Sequence, residues 1–449
     1  MIQTVRSILT RINQDGPAST TFWLVAEKGA RMVVGMLFNI LFFKAIGPNL
    51  IGDYGPALAT SYIIYPLFTL GLNDILIYQY SHSKELGQTF GTSWLMKVLG
   101  GVTVLGIYTA YLISAVSPTD WQAHFYLYLG LLSQFLMFLA QSLESADYYF
   151  QQQGTVRHLI KLKLVSLVLF TVIKISLITE GGGPNDFWIL MAIPAEVVLS
   201  YVLFWMLHKP FRQLLVHCSV STSMWRAMFA HAKIQLPSAL VVNTFMRMDV
   251  LLIRWVLGNE ALAGIYAAAV RFSEPWLLIP FIVSNSFSGK YYALRAKLEE
   301  KAAAFWSDFA AVMLLISLGI VGFTWAVAPI IGFYFGNKYP SLAAILSVHV
   351  LSIVFSAAGS FGWPWLVSHQ YQAQIFWRNL AGIFLMACLS LVLWPLLGMV
   401  GVATSLSLSY GLIHVVANAI NTKFRPLFLM QIGAVKRISI QTIRRTLSA

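Results

Sequence analysis

Apolar runs of about 20 residues, the length a helix needs to cross a hydrocarbon core, recur from one end of the chain to the other. They fall at 21–46, 55–80, 92–117, 124–149, 158–179, 187–207, 233–257, 262–288, 306–334, 342–367, 372–395 and 399–421. Short segments rich in Gly, Pro, Asn and Asp separate them, among them Gly47-Pro48-Asn49, Ser117-Pro118-Thr119-Asp120, Gly181-Gly182-Gly183-Pro184, Gly258-Asn259-Glu260 and Gly336-Asn337-Lys338. Each of these stops a helix and turns the chain. The pattern predicts an all-α polytopic membrane protein with about twelve transmembrane helices.

Composition agrees: 58% of residues are hydrophobic and 10% are charged, against about 25% charged in a soluble globular chain. No polar stretch is long enough for a separate soluble domain. The longest polar loop, 208–232, follows the sixth run and divides the chain into an N-terminal bundle of six helices (1–207) and a C-terminal one (233–421), with a basic tail at 422–449. A weak internal repeat supports a duplication. Gly47-Pro48-Asn49-Leu50-Ile51-Gly52-Asp53-Tyr54-Gly55 follows the first run and Gly258-Asn259-Glu260-Ala261-Leu262-Ala263-Gly264-Ile265-Tyr266 the seventh. Both copies fall on the same side, so the repeat is parallel, and the halves are expected to be related by a pseudo-twofold axis along the membrane normal.

Basic residues set the orientation, because Lys and Arg in short loops stay on the cytoplasmic side. On one side of the predicted spans lie 21 Lys and Arg residues, from Arg6, Arg11 and Lys84 to Arg444 and Arg445, against Lys338 alone on the other. Both termini are therefore expected in the cytoplasm. The same asymmetry accounts for the net charge of +13 without a nucleic-acid partner. The N-terminal apolar segment exceeds a signal-peptide core and is read as a retained first span.

With the charges in the first two turns of the runs at 158, 233, 306 and 372 counted to the loops, eight basic and seven acidic residues remain inside, and a charge at the bilayer centre costs about 2.5–3.5 kcal/mol. Lys44, Lys97, Lys174, Arg254, Asp74, Glu144 and Asp147 lie near predicted span ends and are read as snorkelling or locally hydrated groups. The deeper set is Glu27, Lys28, Arg31, Glu196, Arg247, Asp249, Arg271 and Glu274. Glu27 with Arg31 and Arg271 with Glu274 have the spacing of same-face helix pairs. Arg247 and Asp249 are two apart, so each needs a partner on another helix or an anionic ligand. Basic groups outnumber acids on the seventh and eighth spans. With Arg31 they predict a hydrated cationic cavity suited to a phosphate, whose oxygens accept parallel hydrogen bonds from a guanidinium.

Nothing in the chain calls for a cofactor, a metal or an enzymatic mechanism. It has no phosphate-binding Gly-x-x-x-x-Gly-Lys loop, no His-Glu-x-x-His helix, and no Ser or Cys with evident His and acid partners. Cys218 and Cys388 suit neither a disulfide framework nor a metal site. His349 and His414 stand alone on apolar runs and are read as packing histidines. Trp276 and Trp363-Pro364-Trp365 are read as belt and packing, and Pro237, Pro275, Pro280 and Pro364 as tolerated kinks.

Three stretches resemble the polysaccharide flippase family, of the Wzx or O-antigen type, within the MOP exporter superfamily. They are Trp23-Leu24-Val25-Ala26-Glu27-Lys28-Gly29-Ala30-Arg31 with the Gly47–Gly55 loop; Met248-Asp249-Val250-Leu251-Leu252-Ile253; and Gly264-Ile265-Tyr266-Ala267-Ala268-Ala269-Val270-Arg271-Phe272-Ser273-Glu274-Pro275-Trp276. The resemblance implies two six-helix bundles opening alternately to each side of a bacterial inner membrane, moving an undecaprenyl-pyrophosphate-linked oligosaccharide from the cytoplasmic to the periplasmic leaflet. It implies that Arg31, Arg247 and Arg271 bind pyrophosphate or an acidic sugar and that Lys28 helps recruit it. Glu27, Asp249 and Glu274 would pair with them in the empty state, and a titrating carboxylate among them would couple flipping to protons. Membrane lipid and a polysaccharide polymerase and ligase are the implied partners. A MATE-type cation or drug antiporter is the first alternative and would want a dominant buried acid; the excess of Arg argues against it. A lipid II flippase of the MurJ type would carry two further spans, and a scaffold for envelope polysaccharide assembly would leave the deep charges as ion pairs.

Overall fold

Proline and glycine shape the first turn of the chain as their chemistry requires. Gly47 takes φ 90 and the adjacent Pro48 opens the next helix at its first position, where its missing N–H costs nothing. A computed structural model of the chain describes residues 17–73, 76, 79–80, 83, 85–179, 185–256, 258–295 and 297–438. Arg6, Arg11, Asp74, Lys84, Gly181–Pro184, Arg444 and Arg445 lie outside the described residues.

The described residues form helices and turns with no strand. The principal helices are α1 (Pro17–Ile46), α2 (Pro48–Thr69), α3 (Leu86–Ala115), α4 (Phe125–Gln152), α5 (Arg157–Thr179), α6 (Asn185–Leu207), α7 (Thr222–Leu251), α8 (Glu260–Arg295), α9 (Glu299–Phe335), α10 (Leu342–Ser368), α11 (Gln372–Leu397) and α12 (Met399–Ile420). Ten of the twelve are long and apolar enough to cross a membrane. The other two, α2 and α5, have 22 and 23 residues, and α5 carries Arg157, Lys161, Lys163 and Lys174. The chain is a multi-pass membrane protein. Short turns of other helical types break α4 at Gln141–Glu144 and follow α7 at Leu252–Val256. Pro237, Pro275, Pro280 and Pro364 all lie within continuous helices.

The chain divides into two compact units. One comprises residues up to Gly47 with Pro56–Leu240; the other comprises Pro48–Gly55 with Val241–Ala449. The division falls inside α7, and the polar segment 208–232 holds a helix, Lys209–His217, and the first turns of α7.

Each unit has its own aromatic core. In the first, Phe150 packs edge-on against Phe204 at 5.1 Å, and Phe204 lies 4.8 Å from Phe211. In the second, fully buried Trp306 sits 4.5 Å from Tyr291, 4.7 Å from Phe309 and 5.3 Å from Phe361, and its indole N–H donates to the Phe361 carbonyl at 3.2 Å. The start of the C-terminal tail joins this core: Phe424, Leu427 and Ala434 are buried there, and Arg437 bonds Asp308 at 2.7 Å. Trp365 stacks on His369 at 4.0 Å.

The two repeat copies meet within the second unit. A β-carbon on Gly264 would lie 1.8 Å from the Pro48 carbonyl oxygen, and one on Gly52 would lie 2.1 Å from that of Glu260. Helix backbones come this close only where a glycine removes the side chain.

Candidate functional site

Burial corrects the reading of three of the near-end bases. Lys97 lies well inside the 30-residue α3 and is 1% exposed; Lys174 and Arg254 are also buried. Helix α3 begins at Leu86, six residues before the run that holds Lys97, whereas Lys174 meets Glu196 of α6 and Arg254 meets Asp53 of α2. Lys44 alone of these bases is exposed, in the last turn of α1.

In the first unit Glu27 and Arg31 pair along α1 at 3.2 Å, as their spacing predicts. The Arg31 guanidinium also donates to Glu196 of α6 at 2.7 Å, and Lys174 of α5 reaches the other oxygen of Glu196 at 3.5 Å. Glu196 thus joins three helices. A second knot lies nearby in sequence: Asp147 accepts from Lys163, and from the Tyr201 hydroxyl at 2.9 Å. Lys97 Nζ is buried without a hydrogen-bond partner among the described residues. Lys28 is exposed and forms no ion pair among the described residues.

In the second unit Arg254 inserts one terminal nitrogen between Asp53 at 2.9 Å and Glu260 at 2.8 Å, tying the two glycine segments together. The turn at Leu252–Val256 has the wider π-type winding, which places an extra residue in the helix. Arg247 finds the partner on another helix that its position demanded, Glu274 of α8. Arg271 lies 3.4 Å from the second oxygen of the same carboxylate. Two guanidiniums therefore share one acid. Arg271 makes no hydrogen bond to protein among the described residues, and its side chain is 20% exposed. Its fork is left with donors for an anion.

Asp249 occupies a separate, drier place. It is 1% exposed and accepts from the Tyr266 hydroxyl at 2.8 Å and from the Val250 amide at 2.9 Å. Its partner from α10 is His349, whose Nε2 lies 3.3 Å from Asp249 Oδ2 and whose Nδ1 lies 2.8 Å from Ser273 Oγ. The reading of His349 as a packing histidine is thereby corrected: a polar atom with no water must be hydrogen-bonded, and its partners lie 100 and 76 residues away in the chain. His414 does pack, its ring against Gly359 and Tyr410.

Of the residues expected to act together, Glu27, Lys28 and Arg31 belong to the first unit, and Arg247, Asp249, Arg271 and Glu274 to the second. The additions that sequence reasoning missed are Lys174 as a partner of Glu196, Asp53 and Glu260 as partners of Arg254, and His349 with Ser273 beside Asp249. A signal was present for the last: a histidine on an otherwise apolar run needs a polar neighbour.

This is the fold of the MOP-superfamily transporters. An inward-facing multidrug resistance MATE family transporter of that superfamily aligns with 93% of this chain and 95% of its own, at 14% identity and a TM-score of 0.62. The lipid II flippase MurJ, in an inward closed conformation, aligns with 95% of this chain and 92% of its own, at 13% identity and a TM-score of 0.65. A MOP-superfamily transporter from Pyrococcus furiosus, described by the reversed polarity of its binding pocket, aligns with 95% of this chain and 97% of its own, at 13% identity and a TM-score of 0.57. These neighbours are transporters and a flippase rather than enzymes. No protein-family model and no curated protein sequence matches the chain.

Proposed function

We propose that this protein is a flippase that carries undecaprenyl-pyrophosphate-linked oligosaccharide from the cytoplasmic to the periplasmic leaflet of a bacterial inner membrane by alternating access. It would serve the assembly of O-antigen or a related surface polysaccharide, with both termini cytoplasmic and with a polymerase and a ligase acting on what it delivers. The observation that carries this reading is Arg271. Its guanidinium is partly exposed, forms only a 3.4 Å ion pair with an acid that Arg247 also holds, and makes no hydrogen bond to protein among the described residues. A diphosphate supplies several anionic acceptors for the donors that the Arg271 guanidinium has left. Within the first unit Glu27 holds Arg31, and within the second Glu274 holds Arg247 and Arg271, when no substrate is bound.

Cation or drug antiport is the second reading, favoured by the MATE neighbours and by the buried Asp249. One experiment separates them: lipid-linked oligosaccharide is assigned to its leaflet, and surface glycan measured, in cells with the intact protein, without it, or with Arg271→Glu. Accumulation on the cytoplasmic leaflet in both altered strains is expected. Unchanged glycan together with altered sensitivity to cationic drugs would overturn the flippase reading and favour antiport.

A further inference from the structure

One serine hydroxyl in the second unit faces two acceptors but has a single proton to give. Ser273 Oγ lies 3.0 Å from the Val270 carbonyl oxygen, which can only accept, and 2.8 Å from His349 Nδ1, which can accept or donate. The other ring nitrogen, Nε2, faces a carboxylate oxygen of Asp249 at 3.3 Å and so carries a proton in any favourable arrangement. That same oxygen accepts from Tyr266 at 2.8 Å. All four residues are at most 2% exposed, so no bulk water relaxes the count.

Two arrangements give both ring nitrogens of His349 a partner, and they differ in whether the Ser273 hydroxyl also reaches Val270. In the first, Ser273 donates to Nδ1, Nε2–H donates to Asp249, and the imidazole is neutral. In the second, a proton from solution is bound at Nδ1, a new N–H bond forms, the Ser273 hydroxyl turns to donate to Val270, and Nδ1–H donates to Ser273 Oγ. The imidazole is then a cation paired with the Asp249 carboxylate. The two states differ by one proton and one hydroxyl rotation, and no heavy atom needs to move. We propose that His349 Nδ1 is the proton-loading atom of this transporter, with Asp249 as its fixed counter-ion and Ser273 as the rotor that accommodates either state. The inference rests on the transport reading above and deepens it, because it names the coupling ion and the atom that carries it.

The groups facing this site come from every helix packed around it. Arg247 is two residues from Asp249 on α7, Glu274 follows Ser273 on α8, and Tyr410 comes from α12. Helix α9 offers no charged residue between Asp308 and Lys338. Loading adds one positive charge to a region that already holds Arg247 and Arg271, so proton and anion each favour the binding of the other.

The test uses the purified full-length protein labelled with nitrogen-15 histidine, titrated over about pH 5–8, the window in which an imidazole changes charge. One resonance pair lost in His349→Gln is expected to pass from neutral to cationic. Asp249→Asn is expected to abolish that passage and Ser273→Ala, a mild change, to weaken proton binding. In parallel, inorganic pyrophosphate is expected to bind more tightly at the acid end, and this dependence is expected to vanish in His349→Gln. A His349 signal that keeps one charge state throughout, or a titration untouched by Asp249→Asn and Ser273→Ala, would overturn the proposal. Because the nitrogen-15 readout needs no glycan, a normal titration with an inactive transport assay would count against the flippase reading alone.

Discussion

Gly264 stands so near Pro48 that a β-carbon on it would lie 1.8 Å from the Pro48 carbonyl oxygen. The contact joins the start of α8 to the start of α2, two segments 216 residues apart that carry the same short glycine and tyrosine pattern. It leaves room for no side chain on either helix, since Gly52 approaches Glu260 in the same way.

Gly264→Ala should therefore force the two backbones apart and cost about 3 kcal/mol. Gly29→Ala is the control, because nothing lies within 4 Å of a β-carbon there, and it should be neutral or slightly stabilising. Thermal unfolding of the two purified variants decides the matter; equal melting temperatures would contradict the close approach.

Glu196 is the shared acid of the first unit, holding Arg31 at 2.7 Å and Lys174 at 3.5 Å. Glu196→Gln should cost more stability than Glu27→Gln, because it leaves Lys174, whose side chain is 9% exposed, without its acid. Breaking a buried pair from one side costs about 3–5 kcal/mol; the partial exposure of Arg31 reduces this to about 2 kcal/mol. Denaturation of the two variants side by side is the measurement, and the reverse order would place the anchor at Glu27.

His208, just past the end of α6, stacks on Phe204 at 4.6 Å and on His158 at 5.4 Å. Burial, and then the neighbouring His158, push its pKa below the ordinary histidine value. In the unfolded chain it takes up a proton that the folded state resists, so its contribution is complete above about pH 6.5 and is lost as the pH falls through the lowered folded value. Stability of the purified protein should fall on mild acidification, and His208→Gln should flatten that slope. An unchanged slope would remove His208 from the acid response.

Much of the fold was legible because a bilayer imposes a length on every apolar segment. The twelve runs correspond to α1–α12, except that the second, 55–80, outlasts α2, which ends at Thr69 with Leu70 and Gly71 at positive φ; Gly47-Pro48 and Ser117-Pro118-Thr119-Asp120 turn the chain as their chemistry predicts, and Ser117 and Asp120 form a reciprocal cap. Same-helix pairs were legible too, since Glu27 with Arg31 and Arg271 with Glu274 follow from helical geometry alone. The candidate site was legible only in part. Arg247 and Asp249 declared that they needed partners elsewhere, without saying which.

The sequence by itself determined the class of protein and the order of its principal helices, because each of these depends on residues close together in the chain. Tertiary structure alone decided that Arg247 takes Glu274, that Arg254 bridges Asp53 and Glu260, and that His349 completes Asp249. Those choices depend on which helix faces join, and no local pattern states that.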